Sequence, residues 1–280
     1  MILIDMNQIA LANLMMNLKM NNSKTVDESM VRHMILNSIR MYRKEHHSEY
    51  GEVVLTWDSK HSWRRDYYPE YKAGRRKGRE ESDLNWDDIF GTLNKIRNEI
   101  KENFPYKYLE VFGAEADDII GFLCEENRDE KIMIISGDKD FIQLQKYSNV
   151  TQWSPITKKQ VNGFDPTIYL KEHILKGDTS DGVPNVLSPD NTFVDGLRQR
   201  PLTRKKIQSW LVGGGSDWND EVKRNFQRNL TLIDLTQTPE ELKNQIRLEY
   251  NNAPHGDRSK LLNYFMKNKL KELTENIGEF

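Results

Sequence analysis

Short apolar runs that each close on an aspartate recur along the first half of the chain. "ILID" (2–5), "EVVLTWD" (52–58) and "KIMIISGD" (131–138) read as buried strands, and "KYLEV" (107–111) reads as a fourth. Between them the apolar period lengthens to that of helices. Residues 27–44 set Val31, Met34, Ile35, Ile39 and Tyr42 on one face. Residues 86–100 do the same with Ile89, Leu93, Ile96 and Ile100, and a shorter helix runs from Asp117 to Glu126 after Gly113. Strands alternating with helices predict an α/β fold, a mostly parallel central sheet flanked by helices. Beyond residue 166 the strand pattern ceases. Residues 166–176, 203–212, 218–235, 239–247 and 258–276 carry helical patterns instead. The change falls near "KKQVNGFDP" and divides the chain into an α/β domain over residues 1–163 and a helical region over 164–280.

Composition narrows the class. The 280 residues can bury a substantial core, and a 10% aromatic content argues against disorder. Charged residues make up 30%, so the surface is large and solvated. No run approaches the roughly 18 apolar residues of a membrane span. The first residues, "MILIDMNQIALANLMM", have no basic n-region and carry Asp5 inside the apolar stretch, unlike a signal peptide. Cys124 is the single cysteine, which excludes an internal disulfide and a cysteine-rich zinc site and fits the reducing cytoplasm.

The net charge of −2 conceals a strong separation of charge. Residues 60–79, "KHSWRRDYYPEYKAGRRKGR", hold eight Lys or Arg against two acids, with Trp63, Tyr67, Tyr68 and Tyr71 among them. Residues 258–271 hold five Lys or Arg and no acid. The acids gather elsewhere. In an open parallel sheet the functional crevice lies beyond the carboxyl ends of the strands, where Asp5, Asp58 and Asp138 stand. Glu115 and Asp118 are three apart at a helix start with Asp117 beside them, Asp140 follows Asp138, and "KGDTSDGVP" supplies Asp178 and Asp181. Taken singly, each acid in a first helical turn is a cap or a partner of the helix dipole. Taken together, nine acids from five stretches converge on one rim. Such a donor set of hard oxygens suits Mg²⁺, with Mn²⁺ as substitute.

No other catalytic apparatus competes. The chain has no G-x-S-x-G elbow, H-E-x-x-H, Walker loop or G-x-G-x-x-G, and its six histidines share no ligand spacing. What remains is phosphodiester hydrolysis by two metal ions. The basic aromatic segment can neutralise phosphates and stack on unpaired bases. It follows Asp58 directly and so hangs over the acids, and Gly74 and Gly78 give it freedom to order on a substrate. Lys72 and Arg75, one helical turn apart, are the expected grip on the scissile phosphate. Arg64, Arg65, Tyr71, Arg76, Lys77 and Arg79 are expected nucleic-acid contacts, as are Arg204, Lys205 and Lys206 at a later helix start.

The ordered set of Asp5, Asp58, "YKAGR" (71–75), "EADDIIG" (115–121), "SGDKDFIQL" (136–144) and "GDTSDGVP" (177–184) resembles the 5′-nuclease superfamily of flap endonucleases. The segments "MVRHMILNSI", "WRRDYYPEYK" and "QWSP" give a nearer likeness to a bacteriophage branch of RNase H-like enzymes that remove RNA primers and adjacent DNA. The resemblance implies a metal-dependent 5′-3′ exonuclease or flap endonuclease acting on DNA near 5′ ends, flaps and nicks, with a basic arch formed by about residues 60–85. It implies that Asp5, Asp58, Glu115, Asp117, Asp118 and Asp138 serve a first ion, and Asp140, Asp178 and Asp181 a second. For a phage enzyme the setting is the cytoplasm of the infected host. Family members also work with a sliding clamp or a single-strand binding protein, and no clamp-binding peptide stands out near the end of the sequence, so that partner stays open.

One position departs from the pattern. Asn185 stands where the family has a glycine after "GDxSDxxP", so whether the monovalent-cation site of that element is kept stays open. A phosphatase with an aspartyl nucleophile at Asp5 is disfavoured, since Asn7 breaks the D-x-D pairing such enzymes use, and two further alternatives remain. A PIN-type ribonuclease would explain the strand-end acids but not the basic segment or "GDTSD". A catalytically silent DNA-structure binder gains nothing from clustered negative charge facing phosphate.

Overall fold

The computed structural model describes residues 1–280. Strand β1 (Ile2–Asp5) leads into helix α1 (Met6–Met20) and then α2 (Glu28–Tyr50), before β2 (Val53–Thr56). Two short helices follow, α3 (Trp63–Tyr67) and α4 (Gly74–Glu80), and then α5 (Trp86–Asn103), β3 (Lys107–Leu109), α6 (Ala116–Glu126) and β4 (Ile132–Ile135). A 3₁₀ segment, Lys139–Lys146, precedes β5 (Val150–Ser154) and β6 (Lys159–Gln160). The remainder is helical: α7 (Pro166–Lys176), α8 (Arg204–Gly213), α9 (Asp220–Ile233), α10 (Glu240–Asn252), α11 (Leu261–Lys267) and α12 (Lys271–Glu275).

The strands form one sheet in the order β3-β2-β1-β4-β5-β6, parallel throughout except for β6. Strand order runs outward from β1 in one direction and then restarts on its other side with β4. The crevice at such a switch point opens at the carboxyl ends of β1 and β4, and these carry Asp5 and Asp138.

Both faces of the central strands are buried, which is why residues 2–4, 53–55 and 132–135 are apolar at consecutive positions. Ile2, Ile4, Val53, Leu55, Met133 and Ile135 point into one core with α1, α2 and α5. Leu3, Val54, Ile132 and Ile134 point into the other with α6. The residues beyond 164 pack on both sides of this sheet. Leu235, Leu242 and Ile246 join the second core, while Leu261, Phe265, Leu273 and Phe280 join the first. Two smaller clusters tie α7, α8 and α9 together, and one of them takes in Tyr68 and Tyr71.

Several elements differ from the sequence-based expectation. Helix α1 was not foreseen, because its apolar residues merge with those of β1. Asp5 separates the two by accepting from Gln8 N at 3.1 Å as the helix cap. Strands β5 and β6 were also missed. The expected single helix over 258–276 breaks into α11 and α12 at Lys269, whose φ of 56° is left-handed.

Phe280 is buried against Phe104 and Phe265 on the face opposite α6. Phe280→Ala is therefore expected to lower the unfolding free energy by about 3 kcal/mol. A urea titration in metal-free buffer measures this, and an unchanged midpoint would show that α11 and α12 contribute little to the core.

Candidate metal centre and nucleic-acid interface

Backbone capping explains where most of the acids sit. Asp58 Oδ1 accepts from Ala116 N at 2.8 Å, which docks the start of α6 onto the end of β2. Asp138 Oδ1 accepts from Asp140 N at 2.9 Å. Asp178 Oδ1 accepts from Ser180 N at 2.7 Å and Ser180 Oγ at 2.6 Å. Glu115 and Asp118 form a capping box at the start of α6. The capping reading thus holds for these acids and for Asp5, whereas Asp181 accepts only from the side chains of Tyr71 and Arg75. A cap engages one oxygen, though, and the charges still pool at the crevice.

The pool divides into two groups that share Asp117. Asp5, Asp58, Asp117 and Asp138 line an open cleft of about 650 Å³, together with Lys72 and Arg75. Asp117, Asp140, Asp178 and Asp181 line an adjoining recess with Tyr71. Burial, then the charges of Asp58 and Asp138, push the Asp5 carboxyl up to about 7. Burial and the neighbouring Asp140 take Asp138 to about 6. Asp117 is held well above its ordinary range by burial and by Asp138 and Asp5, and Asp58 is raised mainly by burial. Desolvation and mutual repulsion both disfavour the ionised forms.

The far side of the cluster is compensated. Burial would raise Glu115, but Lys72 and Arg64 outweigh it and hold the carboxyl below its usual value. Lys72 Nζ lies 2.8 Å from Glu115 and 3.6 Å from Asp181, and Arg75 lies 2.5 Å from Asp181. Lys72 adopts a left-handed φ of 57° and donates its N–H to Asp181 O at 2.7 Å. This pins the segment before α4 to the "GDTSD" turn. Gly182 passes beneath it, where a Cβ would meet Glu70 O at 3.0 Å.

Three expected residues take other roles. Asp118 is fully buried and accepts from Trp63 Nε1, Arg64 Nη1, Glu115 N and Thr238 Oγ1. With its oxygens engaged, it lines neither cleft. Arg64, expected at phosphate, is 2% exposed and is held by Asp118 at 2.8 Å, Glu115 at 3.3 Å and Leu232 O at 2.9 Å. Tyr71, expected to stack on a base, is buried and shares its hydroxyl proton between Glu115 Oε2 and Asp181 Oδ2. Arg65, Arg76 and Lys77 are solvent-facing around α3 and α4, as are Arg204, Lys205 and Lys206 at the start of α8, whereas Arg79 is half-buried over Phe90 and lines the open cleft.

Sequence reasoning missed two residues. His173 Nε2 lies 3.1 Å from Asp140 and 3.7 Å from Asp178, although no His-to-His spacing marks it. The available signal was a mixed one, a histidine in the last turn of α7 just ahead of Asp178. Burial would lower its pKa, but the hydrogen bond and charge of Asp140 raise it overall. Arg228 is the other. It is buried and donates to Pro184 O at 2.8 Å and Asp190 at 2.5 Å, with Ser188 O at 3.4 Å. A guanidinium therefore sits among the carbonyls of the turn that contains Asn185.

Comparison with known proteins places this geometry. Residues 1–173 match the family model described as 5′-3′ exonuclease, N-terminal resolvase-like domain, and residues 165–280 match T4 RNase H, C terminal. The chain is 36% identical to the Ribonuclease H of Enterobacteria phage T4, covering 99% of this chain and 95% of that protein. It is 30% identical to a 5′-3′ exonuclease of Buchnera aphidicola (subsp. Acyrthosiphon pisum, strain APS), over 71% of this chain and 72% of that one. In fold it is similar to the bacteriophage T5 flap endonuclease solved as a pseudo-enzyme–product complex with DNA and metal ions. The TM-score is 0.63 at 17% identity, over 89% of this chain and 97% of the other.

The raised carboxyls fix the sign of a pH effect. Asp5 and Asp138 titrate near 7 and 6 in the fold and near 3.8 when unfolded. Their protonated forms are favoured by folding, so their contribution is fully present below about pH 4 and is lost as pH rises through 6 to 7. His173, also raised, acts in the same direction. The melting temperature in EDTA is expected to fall between pH 5 and pH 8, and saturating Mg²⁺ is expected to remove most of that fall. A melting temperature that rises over this range in EDTA would contradict the charge assignment.

Proposed function

Because this chain belongs to the 5′-3′ exonuclease family, we propose that it is a structure-dependent 5′ nuclease. It hydrolyses phosphodiester bonds of DNA, and of RNA primers on DNA, near 5′ ends, flaps and nicks. The observation that carries this reading is the cleft shared by Asp5, Asp58, Asp117 and Asp138 with Lys72 and Arg75. It sets uncompensated carboxylates beside two cations that could meet one phosphate. The donor set is entirely hard oxygen on this side, which fits Mg²⁺ or Mn²⁺. Bound there, divalent ions lower the pKa of a water and neutralise charge on an in-line phosphoryl transition state.

In this proposal Asp5, Asp58, Asp117 and Asp138 hold the first ion, with Glu115 beside them, and Asp140, Asp178 and Asp181 hold the second. Asp118 positions α6 rather than binding metal. Lys72 and Arg75 rest on Glu115 and Asp181 and move to the scissile phosphate when it arrives, because the same charges attract both. Arg65, Arg76, Lys77 and Arg79 of the arch, residues 60–85, receive the single strand. The helical region over 164–280 receives duplex, with Arg204, Lys205 and Lys206 at the N-terminus of α8, an end suited to phosphate. No helix is long and apolar enough to cross a membrane. The host cytoplasm is the proposed setting, and a single-strand binding protein or sliding clamp is the replication partner to test.

Asp138→Asn is expected to abolish cleavage by orders of magnitude while DNA binding survives. Asp178→Asn is expected to act more mildly, with partial rescue by Mn²⁺. Equal losses without metal dependence would contradict the division of ligands.

Lys72→Ala and Arg75→Ala are each expected to slow single-turnover cleavage at least tenfold, about 1.4 kcal/mol of barrier. Their dissociation constants for one flap substrate in Ca²⁺ are expected to move less than about threefold, as for groups acting mainly in the transition state. Large affinity losses with unchanged rates at saturating enzyme would make the segment a plain electrostatic patch.

A further inference from the structure

Asp140 and Asp178 differ from the other acids in what faces them. Like Asp5, Asp58, Asp117 and Asp138 they form no ion pair with a lysine or arginine, but they alone have an imidazole, that of His173, within reach of both. The three ligand atoms lie within 4.8 Å of one another. The imidazole is mounted rigidly. Ile174 and Leu175, its neighbours on α7, are buried in two different clusters, and Tyr169 stacks on the ring at 6.0 Å. Asp178 is oriented too, because Ser180 engages Oδ1 and leaves Oδ2 towards His173.

The spacing suits coordination. Two atoms bound to one cation at about 2.1 Å in adjacent octahedral positions lie about 3 Å apart. The Nε2 to Asp140 and Asp178 separations of 3.1 and 3.7 Å are close to this without any backbone movement. We propose that His173 Nε2 is a ligand of the second ion, adding an imidazole to Asp140 and Asp178 with Asp181 beside them. A nitrogen donor shifts preference from Mg²⁺ towards borderline ions such as Mn²⁺ and Co²⁺. The second position is therefore selective for a transition ion, whereas the first, with oxygen donors alone, accepts Mg²⁺. This inference rests on the metal-dependent reading of the crevice.

The test uses the full chain loaded with Mn²⁺ and no nucleic acid, followed by pulsed electron paramagnetic resonance. The wild type is expected to give the ¹⁴N coupling of a directly bonded imidazole. His255→Ala, on the exposed segment after α10, is expected to keep it, and His173→Gln and His173→Ala are expected to lose it. In titrations, both His173 variants are expected to bind Mn²⁺ at least tenfold more weakly at the second position, while Mg²⁺ affinity moves less than threefold. Retained binding at the first position certifies their fold, and His173→Gln serves if the alanine variant unfolds. Bound Mn²⁺ without ¹⁴N coupling in the wild type would overturn the inference alone, leaving His173 a counter-charge. Coupling that persists in both His173 variants, or equal losses for Mn²⁺ and Mg²⁺, would do the same. No Mn²⁺ bound at all would overturn the metal centre itself.

Discussion

Repulsion among buried carboxylates at the carboxyl ends of β1, β2 and β4 is the constraint that the surrounding structure answers. Asp5, Asp58, Asp117 and Asp138 are drawn there by topology, since the sheet reverses its winding between β1 and β4. Each could be stabilised singly by a cap, and most are. Capping does not remove the net charge, which is why Asp5 and Asp138 lose protons only near neutral pH. The fold thus holds a local deficit of positive charge that bound cations can fill.

Where protein charges do compensate, they also build the architecture. Arg64 ties α3 to Asp118 of α6 and to Leu232 of α9. Lys72, Tyr71 and Arg75 tie the segment around α4 to Asp181 in the turn after α7. A buried pair of this kind contributes modestly to net stability, but losing one partner strands the other charge. The cations over the cleft thus offset one side of the acid cluster while holding the segment around α4 in place. The solvent-facing pairs Arg76–Glu80 and Lys77–Glu81 differ, being screened and weak.

Much of this was legible in the sequence because the governing patterns are local. A continuous apolar run closed by Asp fixed three strands and the acids at their ends, and amphipathic spacing fixed α2, α5, α6 and α7 closely. Helix α1 escaped because the apolar run of β1 continues through Asp5, and only the cap geometry reveals the change of period. Strand β6 escaped because its two exposed residues carry no apolar pattern. Among the site residues, the sequence could place Arg64, Tyr71 and Asp118 near the cluster but could not tell which would turn inward. Burial is decided by partners such as Leu232 and Thr238, more than a hundred residues away. His173 was missed because only the histidine-to-histidine spacing was weighed, and the Asp140 that faces it comes from a separate element.

The metal-free crevice carries protonated carboxyls, and divalent ions displace their protons. Calorimetric titration of Mg²⁺ in two buffers of different ionisation enthalpy reads this directly, since a ligand must lose its proton to bind metal. About one proton or more is expected to leave per protein near pH 6, falling towards zero above about pH 8, because Asp5 and Asp138 titrate near 7 and 6. Mg²⁺ binding with no proton release at pH 6 would mean the acids are already ionised, and would contradict the account.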